Sequence, residues 1–316
     1  MWFERLMGFA EKNPEQVRSS LNLSEDGILT SKHGNVSIQC GELEIPSLAE
    51  LRSASANPNI ALLPPGQLKV TEVVANVQQL HKDPVNAGAL FQVASQFNLL
   101  EMASPHAIPE DGVGIYGSDH TQGPACAIAC SGGTIYRNYY VPVRGNGLNM
   151  IGQTTTHQVD CLADMGVALG NSSERLWNMK NGYALATREG LEHIHHHLFS
   201  CSDSERDEYL QLLRIGIQKD TQVTLGGCKH RVTQAYCSAL PVNYGQHPVE
   251  KWEAFARLVL EASYEATFHA AILNAASTGN NKVFLTLVGG GVFGNKEEWI
   301  LDAIEKCLDT FADYAF

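Results

Sequence analysis

The sequence lacks any apolar segment approaching the roughly 18 residues that a membrane-spanning helix needs. Its first residues, from Met1 to Arg5, lack the apolar core of a secretory signal. Basic residues are few: the sequence has 22 lysines and arginines and 34 aspartates and glutamates, which gives a net charge of −12. This balance excludes a long basic groove for nucleic acid, although a local cationic pocket stays open. We therefore expect a soluble, cytoplasmic protein that binds neither nucleic acid nor membranes.

Cysteines are present but follow no recognised pattern. The eight cysteines are scattered and none forms a CxxC pair, which excludes a disulfide scaffold and disfavours a structural zinc site. Cys126 or Cys237 could act as a nucleophile with His120 or His157 as base, but no cysteine-hydrolase signature surrounds either of them. We interpret the histidine-rich run at residues 193–197 as a solvated helix face. No metal and no cofactor are expected.

Apolar periodicity predicts strands that alternate with helices along most of the chain. The predicted strands lie at 89–95, 134–141, 232–237 and 283–288, and the predicted helices at 125–129, 154–169, 205–218 and 252–276. This order indicates an α/β protein. We assign residues 86–316 to one main domain.

The first 85 residues are assigned to a mainly helical N-terminal extension that packs on this domain. A first helix is followed by a strand pair at 36–40 and 43–45, and valines at helical spacing predict another helix over 70–80. The sequence leaves open whether residues 1–85 form a cap or a lobe continuous with the main core.

The clearest unit is the last one, in which an apolar run precedes a glycine loop and a helix. The run at 283–288 is typical of a strand that is covered on both faces, and Asn295 is the predicted N-cap of the helix. Free amides at the start of a helix favour a phosphate group, and the alternative is a tight turn. The loop matches neither a Walker motif nor GxGxxG. It consists of Gly289, Gly290, Gly291, Val292, Phe293 and Gly294.

A second cluster of polar residues follows the predicted strand at 89–95, where α/β proteins usually place ligand-binding groups. Carboxylates beside a sugar can hold its hydroxyls, activate water or stabilise an oxocarbenium-like centre. Acidic loop residues are also commonly just solvated, which is the alternative interpretation. The cluster comprises Asn98, Glu101, Asp111, Asp119 and Gln122.

These two stretches resemble macrodomains. The segment KVFLTLVGGGVFGN is similar to the last strand and second phosphate-binding loop of that superfamily. The segments QFNLLEM and PEDGVGIYGSDHTQGPACAIACSGGTIYRNYY resemble a divergent macrodomain group. That group includes a bacterial effector, which removes ADP-ribose from ADP-ribosylated ubiquitin, and the eukaryotic relatives of this effector. The resemblance covers about residues 85–316. It implies a three-layer αβα sandwich with a mixed sheet.

The resemblance also implies roles for single residues. It places the diphosphate of ADP-ribose on the loop at 289–294 with Asn295, and it places Gln122 and Gly123 in the first phosphate loop. Phe97 and Asn98 are assigned to the ligand site, with Asn98 against the distal ribose. The catalytic candidates are Asp111, Asp119 and Glu101. The sequence departs from the familiar pattern at TQGPACA, and it lacks the GGG…QEE signature of poly(ADP-ribose) glycohydrolases.

The implied activity is that of an ADP-ribosyl hydrolase that removes ADP-ribose from protein side chains. Arginine is the favoured linkage, and ubiquitin is a candidate for the modified protein. Water would attack the anomeric carbon of the distal ribose with help from a carboxylate. The alternatives are a reader module that binds ADP-ribose without turnover, and a phosphatase or hydrolase of free ADP-ribose derivatives.

Overall fold

The computed structural model describes residues 1–57, 66–145 and 148–315, which form short strands and helices of varied length. The strands are β1 (Leu21–Leu23), β2 (Ile28–Ser31), β3 (Ser37–Gln39), β4 (Glu42–Glu44), β5 (Leu90–Ala94), β6 (Pro142–Gly145), β7 (Leu148–Ile151), β8 (Trp177–Lys180), β9 (Tyr183–Ala186), β10 (Gly216–Gln222), β11 (Arg231–Cys237) and β12 (Val283–Phe284). The α-helices are α1 (Trp2–Met7), α2 (Pro14–Ser20), α3 (Leu48–Ser55), α4 (Val77–Lys82), α5 (Gln122–Ala129), α6 (Ser131–Tyr139), α7 (Ala163–Leu169), α8 (Arg188–Ser200), α9 (Asp203–Leu210), α10 (Glu253–Thr278) and α11 (Glu297–Thr310).

The main sheet is mixed and has the strand order β12-β5-β11-β10-β4. Strands β12 and β11 both run parallel to β5, whereas β10 is antiparallel to β11 and β4 is antiparallel to β10. The parallel half brings the carboxyl ends of β12, β5 and β11 to one edge of the sheet. The prediction of an α/β protein with a mixed sheet is confirmed.

Buried glutamines fix helices on both faces of this sheet. On one face, Gln92 Nε2 of β5 donates to Thr267 Oγ1 of α10 at 2.9 Å. On the other face, Gln234 Nε2 of β11 donates to the carbonyl of Cys126 in α5 at 3.0 Å and lies 3.0 Å from His81 Nε2 of α4. Each buried amide therefore has a partner, as burial requires.

The first 85 residues contribute directly to the main body of the protein. Strand β4 is the edge strand of the main sheet, and α3 packs against α10. Arg52 of α3 forms a bidentate pair with Asp207 at 2.8 Å for each bond, and its Nε donates to Glu265 at 2.6 Å. Strands β1, β2 and β3 form a separate antiparallel sheet, so this stretch is less helical than expected. The domain boundary near residue 85 stays a prediction, but it does not coincide with an edge of the sheet.

The predicted strand at 134–141 is wrong, because most of this segment belongs to helix α6. Its isoleucine and tyrosines favour a strand by propensity, but tertiary packing outweighs propensity here. Gly132 and Gly133 let the helix lie close to the strands: an added Cβ would come within 2.7 Å of Ile38 Cγ2 and 2.9 Å of Gln218 Cγ, respectively. Close packing of the glycine face therefore determines the helix.

Four other predicted elements are shorter than expected. The helix expected over 70–80 begins at Val77, and the helix expected over 154–169 begins at Ala163. The helix expected over 205–218 ends at Leu210, and its last part is wrong, because residues 216–218 belong to strand β10. The strand expected over 283–288 ends at Phe284. In the last case the chain leaves the ladder early, because the Val288 amide bonds to the Thr286 carbonyl at 2.9 Å and to Tyr264 Oη at 3.0 Å. Across the described ranges, no helix has the length and apolar character to cross a membrane.

Deletion of residues 1–85 is expected to abolish cooperative folding of the remaining chain. The deletion removes β4 from the sheet edge and leaves Asp207 and Glu265 without the cation that pairs with both. Thermal unfolding followed by circular dichroism measures this. A fragment of residues 86–316 that unfolds cooperatively near the temperature of the full chain would show that the extension is a separate unit.

Candidate functional site

A cavity of about 250 Å³ lies at the sheet edge where β5 and β12 end. This is the place where open α/β sheets usually bind ligands. Four segments line the cavity, with three further residues from elsewhere in the chain. They are residues from 94–96, 101–103, 119–124 and 286–293, together with Tyr183, Ala239 and Tyr244.

The first turn of α5 forms one wall. Gln122 completes the end of β5 with its side chain, since Oε1 accepts from the Ala94 amide at 2.9 Å and Nε2 donates to the Gln92 carbonyl at 2.8 Å. A Cβ on Gly123 would lie 2.0 Å from the Ala94 carbonyl oxygen, so only glycine fits there. The described residues provide no partner for the amides of Gln122 and Gly123, which stand at the positive end of the helix dipole.

The glycine loop forms the opposite wall. Gly289 has a φ of 77° and a Cβ there would lie 2.4 Å from Ala239 Cβ, so the loop needs glycine at this bend. Within the described part of the chain, the amides of Gly291, Val292 and Phe293 have no hydrogen-bond partner. Three successive free amides suit an anion.

Asn295 does not cap the following helix as predicted. Helix α11 begins at Glu297, its N-cap is Lys296, and no side chain caps it. Asn295 is buried instead, and its Nδ2 donates to the Leu240 carbonyl at 2.8 Å and to the Gly289 carbonyl at 3.2 Å. It therefore ties the glycine loop to the end of β11. Gly290, Gly294 and Asn295 are outside the cavity lining, whereas Gly289, Gly291, Val292 and Phe293 belong to it.

Two of the three catalytic candidates line the cavity. Asp119 is half-buried, and its Oδ1 accepts from the amide and the hydroxyl of Thr121 at 2.8 and 2.7 Å. Glu101 is only 3% exposed. A short turn brings it to the cavity, because Gln96 Oε1 accepts from the Met102 amide at 2.6 Å. Burial raises the pKa of Glu101 to about 8, although the Arg137 cation opposes this shift.

Asp111 lies outside the cavity lining. Its exposed carboxylate accepts from the Ile108 amide at 3.0 Å and closes the 3₁₀ turn Pro109–Asp111. Asp111 and Asp119 are thus not brought together at the cavity. A catalytic role for Asp111 stays a prediction, and the geometry gives it a capping role.

Phe97 and Asn98 also lie outside the lining. Leu99 adopts a positive φ of 64°, and the tight turn before Glu101 directs this pair into the core. Phe97 is 1% exposed, and Asn98 bonds through Nδ2 to Gln158 Oε1 at 2.8 Å and through Oδ1 to the Leu100 amide at 3.1 Å. Both residues shape the loop that carries Glu101, and their ligand contacts stay predictions.

Three aromatic rings line the cavity wall. Phe293 belongs to the predicted ligand-binding loop, whereas Tyr183 and Tyr244 were not predicted. The ring centroids of Tyr183, Tyr244 and Phe293 lie 5.1, 5.2 and 5.6 Å apart in pairs, and Tyr183 Oη donates to the Met102 carbonyl at 2.5 Å. Burial, Tyr244 and the charge of Asp119 raise the pKa of Tyr183. Of the two tyrosines, only Tyr244 could have been found from the sequence, because it lies beyond the carboxyl end of the predicted strand at 232–237.

A cysteine nucleophile does not fit this geometry. Cys126 and Cys237 are fully buried and absent from the cavity lining. Burial raises the pKa of both thiols, that of Cys237 to about 11. The histidine-rich run lies on α8, where His197 Nε2 is 2.7 Å from Tyr209 Oη. In the ranges that the structure describes, no three histidine, cysteine, aspartate or glutamate side chains are grouped to hold a metal ion.

No protein-family model, curated protein or solved structure matches this chain. The cavity and its lining residues are therefore the observations on which a function can rest.

Gly123→Ala is expected to destabilise the fold by roughly 1–3 kcal/mol, the usual cost of overpacking. Its new methyl group would press on the Ala94 carbonyl, which is backbone and cannot move aside. The matched control is Gly291→Ala, where an added Cβ meets no atom within 4 Å and stability should hold within about 0.5 kcal/mol. Urea unfolding measures both variants. Equal stability of the two would refute the close contact.

Glu101→Gln is expected to be more stable than the wild type at alkaline pH. The folded state binds the Glu101 proton more tightly than the unfolded chain, so wild-type stability falls as pH rises from about 4.5 to about 8. Glutamine does not titrate, and the two proteins should be similarly stable at pH values below 4.5. Melting temperatures across this range test the sign. A wild type that gains stability relative to the variant as pH rises would contradict it.

Proposed function

We propose that this chain is a macrodomain-like ADP-ribosyl hydrolase that removes ADP-ribose from modified protein side chains. The supporting observation is a single cavity whose lining joins two segments with free backbone amides to the acidic residues Glu101 and Asp119. The amides suit a diphosphate, and carboxyl groups suit a sugar and water. Helices on both faces of a mixed sheet are in keeping with a three-layer αβα sandwich.

The diphosphate lies between the glycine loop and the start of α5. The amides of Gly291, Val292 and Phe293 donate from one side, and those of Gln122 and Gly123 donate from the other. Backbone donors suit this task because glycine lets the chain approach the phosphate oxygens closely. Gly291 has no atom within 4 Å of an added Cβ, which leaves its backbone open to a ligand.

Asp119 orients and deprotonates the water. Its Oδ1 is held by Thr121, and Oδ2 has no partner among the described residues, so it remains available for a water molecule. As the water oxygen bonds to the anomeric carbon, its proton passes to Asp119 and the bond to the side-chain nitrogen breaks. An arginine leaves as neutral guanidine and then takes the proton from Asp119. General-base help of this kind contributes about 100- to 10,000-fold to a rate.

Glu101 contacts the distal ribose from the cavity floor. With its raised pKa it carries a proton at neutral pH, so it donates a hydrogen bond to a sugar oxygen without adding a second charge beside the phosphates. This is the role that the resemblance gives to Asn98. The resemblance also supports arginine as the linkage and ubiquitin as a candidate substrate protein.

A reader module that binds ADP-ribose without turnover is the second candidate. One observation favours it: Asp111 lies away from the cavity, so Asp119 stands there without the other member of the expected acidic pair. A reader keeps the glycine loop and has no hydrolysis to lose.

Asp119→Asn is expected to lower hydrolysis about 100-fold or more while ADP-ribose affinity changes only a few-fold. Asp111→Asn is the matched control and should retain turnover, because its carboxylate caps a turn outside the cavity. The measurement is incubation with arginine-ADP-ribosylated ubiquitin, mass spectrometry of protein and small molecules, and calorimetry with ADP-ribose.

The outcomes separate the candidates. Free ADP-ribose with ubiquitin restored to its unmodified mass supports a hydrolase. If the modified ubiquitin is unchanged but calorimetry shows that the protein binds ADP-ribose, the reader module is supported. Loss of turnover in Asp111→Asn but not in Asp119→Asn would reverse the assignment of the base. No binding of ADP-ribose would refute both candidates.

A further inference from the structure

A buried arginine lies behind Glu101, beneath the cavity. Arg137 of α6 has no exposed surface, and three contacts fix it. Its Nε donates to the Leu99 carbonyl at 2.9 Å, its Nη2 donates to Thr134 Oγ1 at 3.3 Å, and its guanidinium carbon lies 3.6 Å from the centre of the Tyr236 ring. The guanidinium therefore has a single, well-defined position.

Glu101 and Arg137 lie close together but form no hydrogen bond with each other. Arg137 Nη2 is 3.7 Å from Glu101 Oε1, which is too long for a direct hydrogen bond. Both carboxyl oxygens and Arg137 Nη1 are buried and have no hydrogen-bond partner among the described residues. A buried polar group without a partner is costly, and a charged one more so. Both partners therefore keep unused hydrogen-bonding groups.

We propose that Arg137 forms, with Glu101, a subsite for one hydroxyl group of the bound ligand at the cavity floor. A hydroxyl oxygen can accept two hydrogen bonds, so it matches the proton of neutral Glu101 on one side and Arg137 Nη1 on the other. The ligand reaches the subsite from the side of Glu101, because Glu101 lines the cavity and Arg137 lies behind Glu101. The identity of the hydroxyl as that of a ribose rests on the proposed function.

The surroundings of Glu101 make Arg137 the group that controls its charge. The titratable groups that face Glu101 are Arg137 from α6, Tyr116 from the 3₁₀ turn Gly114–Ser118, Cys126 from α5 and Tyr236 from β11. Arg137 is the cation among these four. Tyr116 Oη accepts from the Glu101 amide at 3.3 Å and so holds the backbone, not the carboxyl group.

The experiment compares Arg137→Met, Arg137→Lys and Asn138→Ala in the full chain. Asn138 is the matched control, because it is the next residue of α6, is 1% exposed and donates to the Pro109 carbonyl away from the cavity. Infrared difference spectra between each protein and its Glu101→Gln counterpart isolate the carbonyl band of protonated Glu101. Calorimetry with ADP-ribose measures how each substitution changes the affinity for the ligand.

Arg137→Met should shift the titration of the Glu101 band upward by about one to three pH units, the usual effect of losing a nearby opposite charge. It should also weaken ADP-ribose binding about 10-fold or more, through loss of a charged hydrogen bond. Arg137→Lys should keep the titration near that of the wild type and still lose affinity, because a lysine cannot keep the fork of donors. Asn138→Ala should change neither reading.

An unshifted Glu101 band in Arg137→Met would overturn the proposal, and so would an equal loss of affinity in Asn138→Ala. If Arg137→Met does not fold, Arg137→Lys provides the test, because a lysine variant with the full affinity for ADP-ribose would also overturn the proposal. A wild type that binds ADP-ribose but releases none contradicts the hydrolase alone, and the infrared titration with calorimetry still tests the subsite. A wild type that binds no ADP-ribose contradicts the proposed function and the ribose as the source of the hydroxyl.

Discussion

The candidate site depends on the contact between the first turn of α5 and the end of β5. Gly123 lies so close to the Ala94 carbonyl that no side chain fits between them. Beyond the short pairing of β12 with Leu90 and Phe91, the side chain of Gln122 bonds to the end of β5 instead. This contact leaves the first amides of α5 facing the cavity. It also brings the helix against Glu101, whose Cγ would lie 3.2 Å from a Cβ on Gly123. One glycine thus sets both the wall of free amides and the position of Glu101.

The second wall depends on the first through the parallel strands. Strands β12 and β11 flank β5, so the chain segments that follow them meet at the same edge. Asn295 joins the two segments by bonding to the carbonyls of Leu240 and Gly289. A residue expected to cap a helix acts here as the brace of the loop. The loop can therefore keep its amides free without support from regular secondary structure.

The sequence predicted the features that local chemistry determines. The strand at β5, the long helix α10 and the glycine loop follow from apolar runs and glycine spacing, and all three are present. The predictions failed where distant contacts decide, as in α6, whose β-prone residues pack as a helix through Gly132 and Gly133. The same holds for the acidic residues. Spacing along the chain made Asp111 and Asp119 equivalent. The carboxylate of Asp111 reaches back to the Ile108 amide outside the cavity, whereas Asp119 bonds to Thr121 and lines the cavity.

The charge of the protein poses a problem that the cavity itself resolves. The chain carries a net charge of −12, and none of the described residues that line the cavity is a lysine or arginine. A diphosphate bound there, as proposed, would rely on oriented backbone dipoles, which attract an anion without a mobile side chain. Two ionised carboxylates beside it would oppose that attraction. Burial of Glu101 removes one of these charges at neutral pH, and Arg137 behind it limits the cost of burial. Burial of this acid is therefore a condition for anion binding in an acidic protein, and it ties the affinity of the site to the protonation of a single side chain.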